Sequence, residues 1–418
     1  MGESLSGESA AIRISAAMIV RDEAAHLPEC LSGLAGLADE ICVVDTGSVD
    51  DTAEIARAFG CRLAFFTWCD DFAAARNESL RLCRGEWIFV IDADERIAPP
   101  DRPRLRALTD AGPHCCYRFV TRNYTNEAHL SDFTPCAPGD AFARGFAGWH
   151  PSAKVRLFPN WVGARFEGRV HELVNQSLES RGIAIVDSAI PVHHYPLARP
   201  AEAVRHKREH YLRLGIEKRR ERPDDPRAAA ELGAQYMELG DYAAAAAAYR
   251  DAVRLDAEIA KKSGGAPNPL WLRDLGGALH LAGRPEEAEQ ALRIALKVDP
   301  ESPEVWRNLG VVQAARNAWF EARDCFARAA ALAPQDSEIR RHHAVALART
   351  GEMDAATAEA RAALQCNPLS SAAAEFFVDI MTQAGQREEA RRFLEEWSAA
   401  IPGALMNAAL ARLRGDSN

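Results

Sequence analysis

Three groups of carboxylates stand where a sheet could gather them: Arg21-Asp22-Glu23, the stretch from Asp45 to Asp51, and Asp92-Ala93-Asp94-Glu95. Carboxylates held side by side repel one another unless a cation or a donor lies among them, so such a gathering is a place for a ligand. Hard divalent ions take oxygen ligands and commonly keep part of their shell for phosphate. Asp92 and Asp94, one residue apart around a turn, can chelate such an ion or divide metal and ribose contacts. Each group also has a plain structural use. Ser48-x-x-Asp51 is a helix start of the capping-box kind, and Asp92 to Glu95 can be a simple turn. The chain has no Walker A loop and no Gly-x-Gly-x-x-Gly after a strand, which leaves metal and arginine, not a glycine cradle, to hold phosphate.

The patterning supplies the scaffold these residues need. Residues 13–20, 40–45, 62–66 and 86–92 read as strands, and 24–37, 51–59 and 71–82 as helices. This alternation predicts a parallel sheet covered by helices, whose ligands sit beyond the carboxyl ends of the strands. All three acidic groups fall there. Residues 115–121, 154–158, 166–174 and 183–194 read as further strands and loops, partly antiparallel.

From residue 199 the chain turns helical and alanine-rich, and it repeats. Trp306-x-x-Leu309-Gly310, Ala322, Phe326, Ala329 and Pro334 match the tetratricopeptide pattern of 34 residues. Leu272, Leu275-Gly276 and Ala288 lie one period earlier, Ala344, Leu347 and Ala356 one period later, and Phe377, Met381 and Ala390 one later still. Another unit, with Leu232-Gly233, Tyr236 and Tyr249, precedes them across an extra nine residues around Lys261 to Gly265. The expected division is a tail at 1–11, an α/β domain at 12–198, a basic linker helix at 199–225, five repeats at 226–402 and a capping helix at 403–418.

Of the 418 residues, 48% are hydrophobic and 26% charged, with a net charge of -10. That is a globular composition, and it argues against a general nucleic-acid binder, which needs a basic surplus. No apolar run is long enough to span a bilayer. The ten cysteines form no Cys-x-x-Cys pair, which points to a reducing, cytoplasmic setting. The first residues show no secretory signal; Gly2 and Ser6 fit a loose myristoylation pattern that a polar tail explains equally well.

Ile19-Val20-Arg21-Asp22-Glu23, Val43-Val44-Asp45-Thr46-Gly47-Ser48-x-Asp50-x-Thr52, Asp71-Phe72-Ala73-Ala74-Ala75-Arg76-Asn77 and Ile91-Asp92-Ala93-Asp94-Glu95 resemble family 2 glycosyltransferases of the GT-A fold. The resemblance is closest to the bacterial branch with C-terminal tetratricopeptide repeats, which includes the S-glycosyltransferases of bacteriocins. It implies an inverting transferase that moves a sugar from a nucleoside-diphosphate sugar, a UDP-sugar by expectation, to a protein or peptide acceptor. Carried over, the resemblance assigns Val20, Asp22, Glu23, Asp45, Gly47, Ser48 and Ala93 to the nucleotide sugar, and Asp92 and Asp94 to ribose and a Mn²⁺ or Mg²⁺. Asp22 departs from the family, where Asn is more usual. Phe166-Glu167-Gly168-Arg169-Val170-His171-Glu172 resembles the family's Gly-x-Val-His-Glu segment. Glu172 is the expected base, Glu167 its rival, and His171 a metal or diphosphate ligand; a structural pairing of Glu172 with Arg169 or Arg156 is the alternative. His171 to Asn175 is no zinc-protease motif, because Asn175 replaces the second His. Arg76 either contacts the site or braces its loop. Arg156 has the forked geometry to reach a diphosphate, with a supporting ion pair as the alternative for both arginines. His194 and Trp149-His150 are weaker candidates for the site's edge and an acceptor loop.

In the repeats, the fifth positions of three first helices are Arg273, Arg307 and Arg341, each 34 residues apart. They offer a positive ladder for an acidic acceptor segment or for a partner subunit in a homodimer. Glu304 and Glu338, three residues before Arg307 and Arg341, offer intrahelical pairs instead. Two other functions stay open at this stage: transfer to a lipid or lipopolysaccharide intermediate, with the basic stretch 205–222 on an anionic surface, and a catalytically dead scaffold.

Overall fold

A computed structural model describes residues 12–112, 114–126, 133–137, 139–196, 201–368, 370–400 and 407–414. The tail at 1–11, with Gly2 and Ser6, lies outside the described residues. The chain forms two compact units that divide near residue 199.

In the first unit, β1 (Ile14–Val20), β2 (Glu40–Asp45), β3 (Arg62–Phe65) and β4 (Trp87–Val90) lie parallel in the order β3-β2-β1-β4. β1 is buried along nearly its whole length, as expected of a strand covered on both faces. Beyond β4 the sheet becomes mixed. β5 (Glu95–Arg96), β6 (Cys115–Thr125), β7 (Thr134–Pro135), β8 (Gly148–Pro159) and β9 (Ala184–His194) extend it past β4 in the order β8-β6-β9-β5, with β7 on β8. β8 runs antiparallel to β4 and β6, and β9 parallel to β6. Ile14, Met18, Leu31, Val43, Phe89, Phe119 and Leu157 form one face's core.

The helices of this unit are α1 (Leu27–Gly33), α2 (Thr52–Ala58), α3 (Phe72–Leu82), α4 (Asp101–Leu108) and α5 (Asn175–Glu179). α1 is shorter than the pattern predicts. Pro28 stands in its first turn, and the Ala24 N–H before it is held at 3.1 Å by Asp50, so residues 24–26 serve the loop instead. Asp71 caps α3 by accepting the Ala74 N–H at 2.9 Å.

The second unit begins with α6 (Ala201–Glu221) and continues as five consecutive helix pairs: α7 (Pro226–Glu238) with α8 (Tyr242–Ser263), α9 (Pro269–Leu281) with α10 (Pro285–Val298), α11 (Pro303–Ala315) with α12 (Trp319–Leu332), α13 (Ser337–Thr350) with α14 (Met353–Cys366), and α15 (Ser371–Gln383) with α16 (Arg387–Ala400). The extra residues after the first pair are not a loop. They lengthen α8, which stops only at Gly264, in the left-handed region with φ +71°. α17 (Asn407–Arg414) buries Ala409, Leu410 and Leu413 in the last pair's apolar cluster.

The repeat's glycine has a packing cause. A Cβ on Gly310 would sit 2.6 Å from the Phe326 ring of the paired helix, and one on Gly276 2.5 Å from Leu292. Gly310→Ala is therefore expected to cost about 1–3 kcal/mol through overpacking, despite alanine's better helix propensity. A melting curve checks this; a variant as stable as the parent would show that Phe326 can step aside.

Candidate functional site

The site lies where the first unit's parallel strands end. β1 and β2 finish in register, Val20 opposite Asp45, and the loops that follow are tied together. Thr46 donates its N–H and hydroxyl to the Val20 carbonyl at 3.0 and 3.1 Å. The Asp22 N–H reaches the Ser48 hydroxyl at 3.0 Å, the Val49 N–H returns to Asp22 Oδ1 at 2.8 Å, and the Glu23 N–H reaches Thr52 Oγ1 at 2.8 Å. Asp45, 1% exposed, accepts the Gly47 and Ser48 N–H groups on Oδ1 at 2.9 and 2.7 Å. That turn requires φ +108° at Gly47, which side chains disfavour. Asp22 itself sits at φ +54°, a conformation Asn and Asp tolerate best, and an Asn carbonyl would accept the same Val49 bond.

Beyond β4, Arg76 of α3 joins two elements. Its Nη2 lies 2.5 Å from Asp92 Oδ1 and its Nε 3.2 Å from Glu172 Oε1. Burial alone would lower the pKa of Arg76, but Asp92 and Glu172 more than offset it, so the guanidinium is firmly charged. Burial likewise opposes ionisation of Asp92, but Arg76, with Lys154 and Arg156 behind it, holds that carboxyl well below the usual range. Asp92, Arg76 and Glu172 thus form one charged chain beyond the carboxyl end of β4, an interior strand of the sheet. Glu172 pairs with Arg76, a partner other than the Arg169 or Arg156 that the structural alternative named.

The segment 166–174 is not a strand. A single bridge joins Glu167 to Leu173, with N–H···O distances of 3.0 and 3.1 Å, and the chain between curls through Gly168 at φ +102° and His171 at φ +51°. Asn77 fastens this loop to α3 by exchanging hydrogen bonds with the backbone of Phe166 at 3.0 and 2.9 Å. The Arg169 carbonyl accepts the Phe72 N–H at 2.9 Å. The curl brings Glu172 to Arg76 and leaves His171 exposed at the tip.

Asp94 has a partner that sequence reasoning ranked low. His194 Nε2 lies 3.1 Å from Asp94 Oδ2, and its Nδ1 lies 2.9 Å from Asn123 Oδ1. Burial pulls the pKa of His194 down, but the bond to Asp94 outweighs it and the net shift is upward. His26, which no motif singled out, feels the charge of the same carboxylate; burial lowers its pKa although Asp94 works against that. Only the register of β9 on β5, which sets Glu95 opposite His194, exposes this pairing, and no short motif encodes it.

Several expectations need correction. Arg156 does not reach toward a diphosphate. Its side chain is 2% exposed and forms a forked ion pair with Glu95, at 2.6 and 2.5 Å. The cause is a β-bulge: β6 pairs Tyr117 with Leu157 and Arg118 with Val155, leaving Arg156 unpaired between them, and a bulge re-aims its side chain. Val20 and Ala93 are buried, with the Val20 carbonyl taken by Thr46 and the Ala93 carbonyl by Arg96. Their side chains face the core, which leaves any contact with a nucleotide at these two positions to the backbone. Asp92, Asp94 and His171 do not assemble as a metal cage: among the described residues, no three His, Cys, Asp or Glu side chains are grouped to hold an ion.

In the repeats, the three arginines are already engaged. Arg273 pairs with Asp274 at 2.7 Å, Arg307 with Glu338 of the next unit at 3.2 Å, and Arg341 lies 5.3 Å over the Phe376 ring. The expected intrahelical pairs are not the ones described: Glu338 crosses to the preceding unit, and Glu304 accepts from the Ser302 hydroxyl at 3.0 Å. Among the described residues, no helix is long and apolar enough to cross a membrane.

Comparison with known proteins agrees with both halves. Residues 15–161 match the family profile described as glycosyl transferase family 2. Tetratricopeptide profiles match 231–293, 281–337 and 319–371. Over 251 residues the chain is 33% identical to a TPR repeat-containing protein of Synechococcus elongatus, covering 57% of this chain and 55% of that protein. It is 33% identical over 86 residues to an uncharacterized glycosyltransferase of Rickettsia bellii, covering 21% and 29%. It is 24% identical over 161 residues to the SPbeta prophage-derived glycosyltransferase SunS of Bacillus subtilis, covering 38% and 34%. The chain spans about half the length, or less, of these relatives.

Proposed function

We propose that this chain, a family 2 glycosyltransferase domain joined to tetratricopeptide repeats, transfers a sugar from a nucleoside-diphosphate sugar to a protein or peptide acceptor, with inversion. The observation that carries the reading is the Asp92–Arg76–Glu172 chain at the strand ends, beside the loops tied through Asp22, Asp45 and Ser48. It sets a carboxylate for the acceptor proton next to charges suited to a diphosphate.

The acceptor's O–H or S–H gives its proton to Glu172 as its oxygen or sulfur bonds to the anomeric carbon. The bond from that carbon to the diphosphate oxygen breaks, and the nucleoside diphosphate leaves with the electron pair. Arg76 holds Glu172 in place and carries positive charge toward the leaving group. Glu167 remains the rival base. Asp45, Asp22, Glu23, Gly47 and Ser48 form the wall for the nucleotide.

The donor set fits a Mn²⁺ or Mg²⁺ that takes one or two carboxylates and completes its shell with phosphate and water. Asp92 and Asp94 are both partly open to solvent, with side chains 28% and 29% exposed, and they would hold it. When bound, the ion supplies Lewis-acid stabilisation of the departing diphosphate. We take the donor as a UDP-sugar and the setting as the cytoplasm; the ten unpaired cysteines support the latter.

The test is thermal shift with UDP-sugars and Mn²⁺, followed by intact-mass analysis of candidate acceptors. A raised midpoint is expected, because a ligand that binds only the folded state stabilises it, as is an acceptor heavier by one sugar residue. No shift with any sugar nucleotide would contradict the reading.

The repeats are proposed to recruit the acceptor. Replacing Arg273, Arg307 and Arg341 with Gln is expected to raise the acceptor's Michaelis constant and weaken its salt dependence, leaving sugar-nucleotide hydrolysis unchanged. Each arginine already has a partner, so some of the loss would come from breaking those contacts. Unchanged acceptor affinity and unchanged oligomeric state would reduce the ladder to structural pairing.

A further inference from the structure

The turn from Asp92 to Glu95 is held from beneath by a buried ion pair that the chemistry above does not use. Glu95 and Arg156 have side chains 4% and 2% exposed. Glu95 Oε2 accepts the Asp92 N–H at 3.0 Å, while the Glu95 N–H returns to the Asp92 carbonyl at 3.0 Å, closing the turn on itself. Arg156 grips both oxygens of Glu95, and donates further to Thr121 Oγ1 at 2.9 Å and the Val90 carbonyl at 3.4 Å. It thereby links β4, β6 and β8 to the turn. Glu95 lies in β5 opposite His194, and the Tyr195 N–H bonds the Asp94 carbonyl at 3.0 Å. One buried carboxylate therefore fixes the backbone of Asp92 directly and lies in the strand that sets Asp94 against His194.

Stability is a poor reason for such a pair. Desolvating two charges costs as much as their attraction returns, and apolar residues of similar volume usually do as well or better. The bulge at Arg156 adds a second cost, an interrupted ladder, to aim this one side chain inward. Bulges of this kind gather beside active sites, where they re-aim a side chain.

We propose that Glu95 and Arg156 are positioning residues, which hold Asp92 and Asp94 at the spacing a cation-bound nucleoside diphosphate needs. The inference rests on the sugar-nucleotide reading for its purpose, though not for its geometry. Partners of this kind commonly govern ligand affinity by about 10–100-fold without touching the ligand.

The experiment uses the full chain with Glu95→Leu and Arg156→Met combined, so that neither charge is left alone. Two readouts are taken: amide hydrogen exchange at residues 91–95, and the apparent Kd for Mn²⁺ in the presence of UDP. The expected result is a folded protein with a melting midpoint near that of the parent and unchanged exchange in β1. Exchange at Asp92 should be at least about tenfold faster, and the Mn²⁺ Kd about 10–100-fold higher. A folded double variant with unchanged exchange at Asp92, or with unchanged Mn²⁺ affinity, overturns the proposal. If that variant does not fold, Glu95→Gln decides the matter. It keeps an acceptor for the Asp92 N–H but loses the charge that fixes Arg156, and unchanged Mn²⁺ affinity in it overturns the proposal equally. Failure of the parent itself to bind Mn²⁺ with UDP would count against the sugar-nucleotide reading, and the exchange readout would still judge the pair.

Discussion

Glu172→Gln is expected to leave donor affinity within a few-fold of the parent and to cut turnover by about 10²–10⁴, the range for a lost general base. The substitution is clean at this position. Arg76 Nε donates to Glu172 Oε1, and the Gln carbonyl oxygen can accept the same bond, so the curl of residues 167–173 keeps its anchor. What disappears is the capacity to take a proton. Initial rates at saturating donor, with donor affinity measured separately, check the two halves of this expectation. Full activity in the variant would move the role to Glu167 or show that the acceptor arrives already ionised, as a thiolate would.

Asp94→Ala should abolish cation-dependent binding of the donor while the fold stays near native. Asp94 is tied to the structure mainly through its backbone, whose carbonyl accepts the Tyr195 N–H, and alanine keeps that bond. His194 loses one partner but retains Asn123. Chelation should act on the parent as the substitution does: excess EDTA stops turnover, and added Mn²⁺ or Mg²⁺ restores it. Undiminished turnover in excess EDTA would remove the cation from the account and leave Arg76 as the charge nearest the leaving group.

Much of the scaffold was legible because buried parallel strands are written as apolar runs. Glu40–Asp45 matches the predicted strand residue for residue, and the clusters after β1, β2 and β4 lie at the strand ends as expected. The repeats were legible for a related reason. Gly310 against Phe326 and Gly276 against Leu292 impose a small-large pairing that must recur at a fixed period. Four features were not legible. Residues 166–174 look like a strand by composition, yet positive φ at Gly168 and His171 curls them, and no apolar pattern reports a dihedral angle. Arg156 alternates with Lys154 as if both faced outward; a bulge one residue long reverses it, and nothing local in the sequence marks the bulge. The pairing of Asp94 with His194 spans 100 residues and depends on strand register alone. The arginine spacing in the repeats was legible, but the partner of Arg307 was not, because Glu338 could turn to its own helix or to the unit before.

The central claim is most directly tested by release of nucleoside diphosphate. The full chain would be incubated with a panel of UDP-sugars and Mn²⁺, with and without candidate acceptors, and free UDP separated and quantified over time. UDP release from at least one donor is the predicted result, accelerated by an acceptor and lost both in excess EDTA and in Asp94→Ala. Release that neither EDTA nor Asp94→Ala diminishes, or no release from any donor by a folded protein supplied with acceptor, would contradict the account.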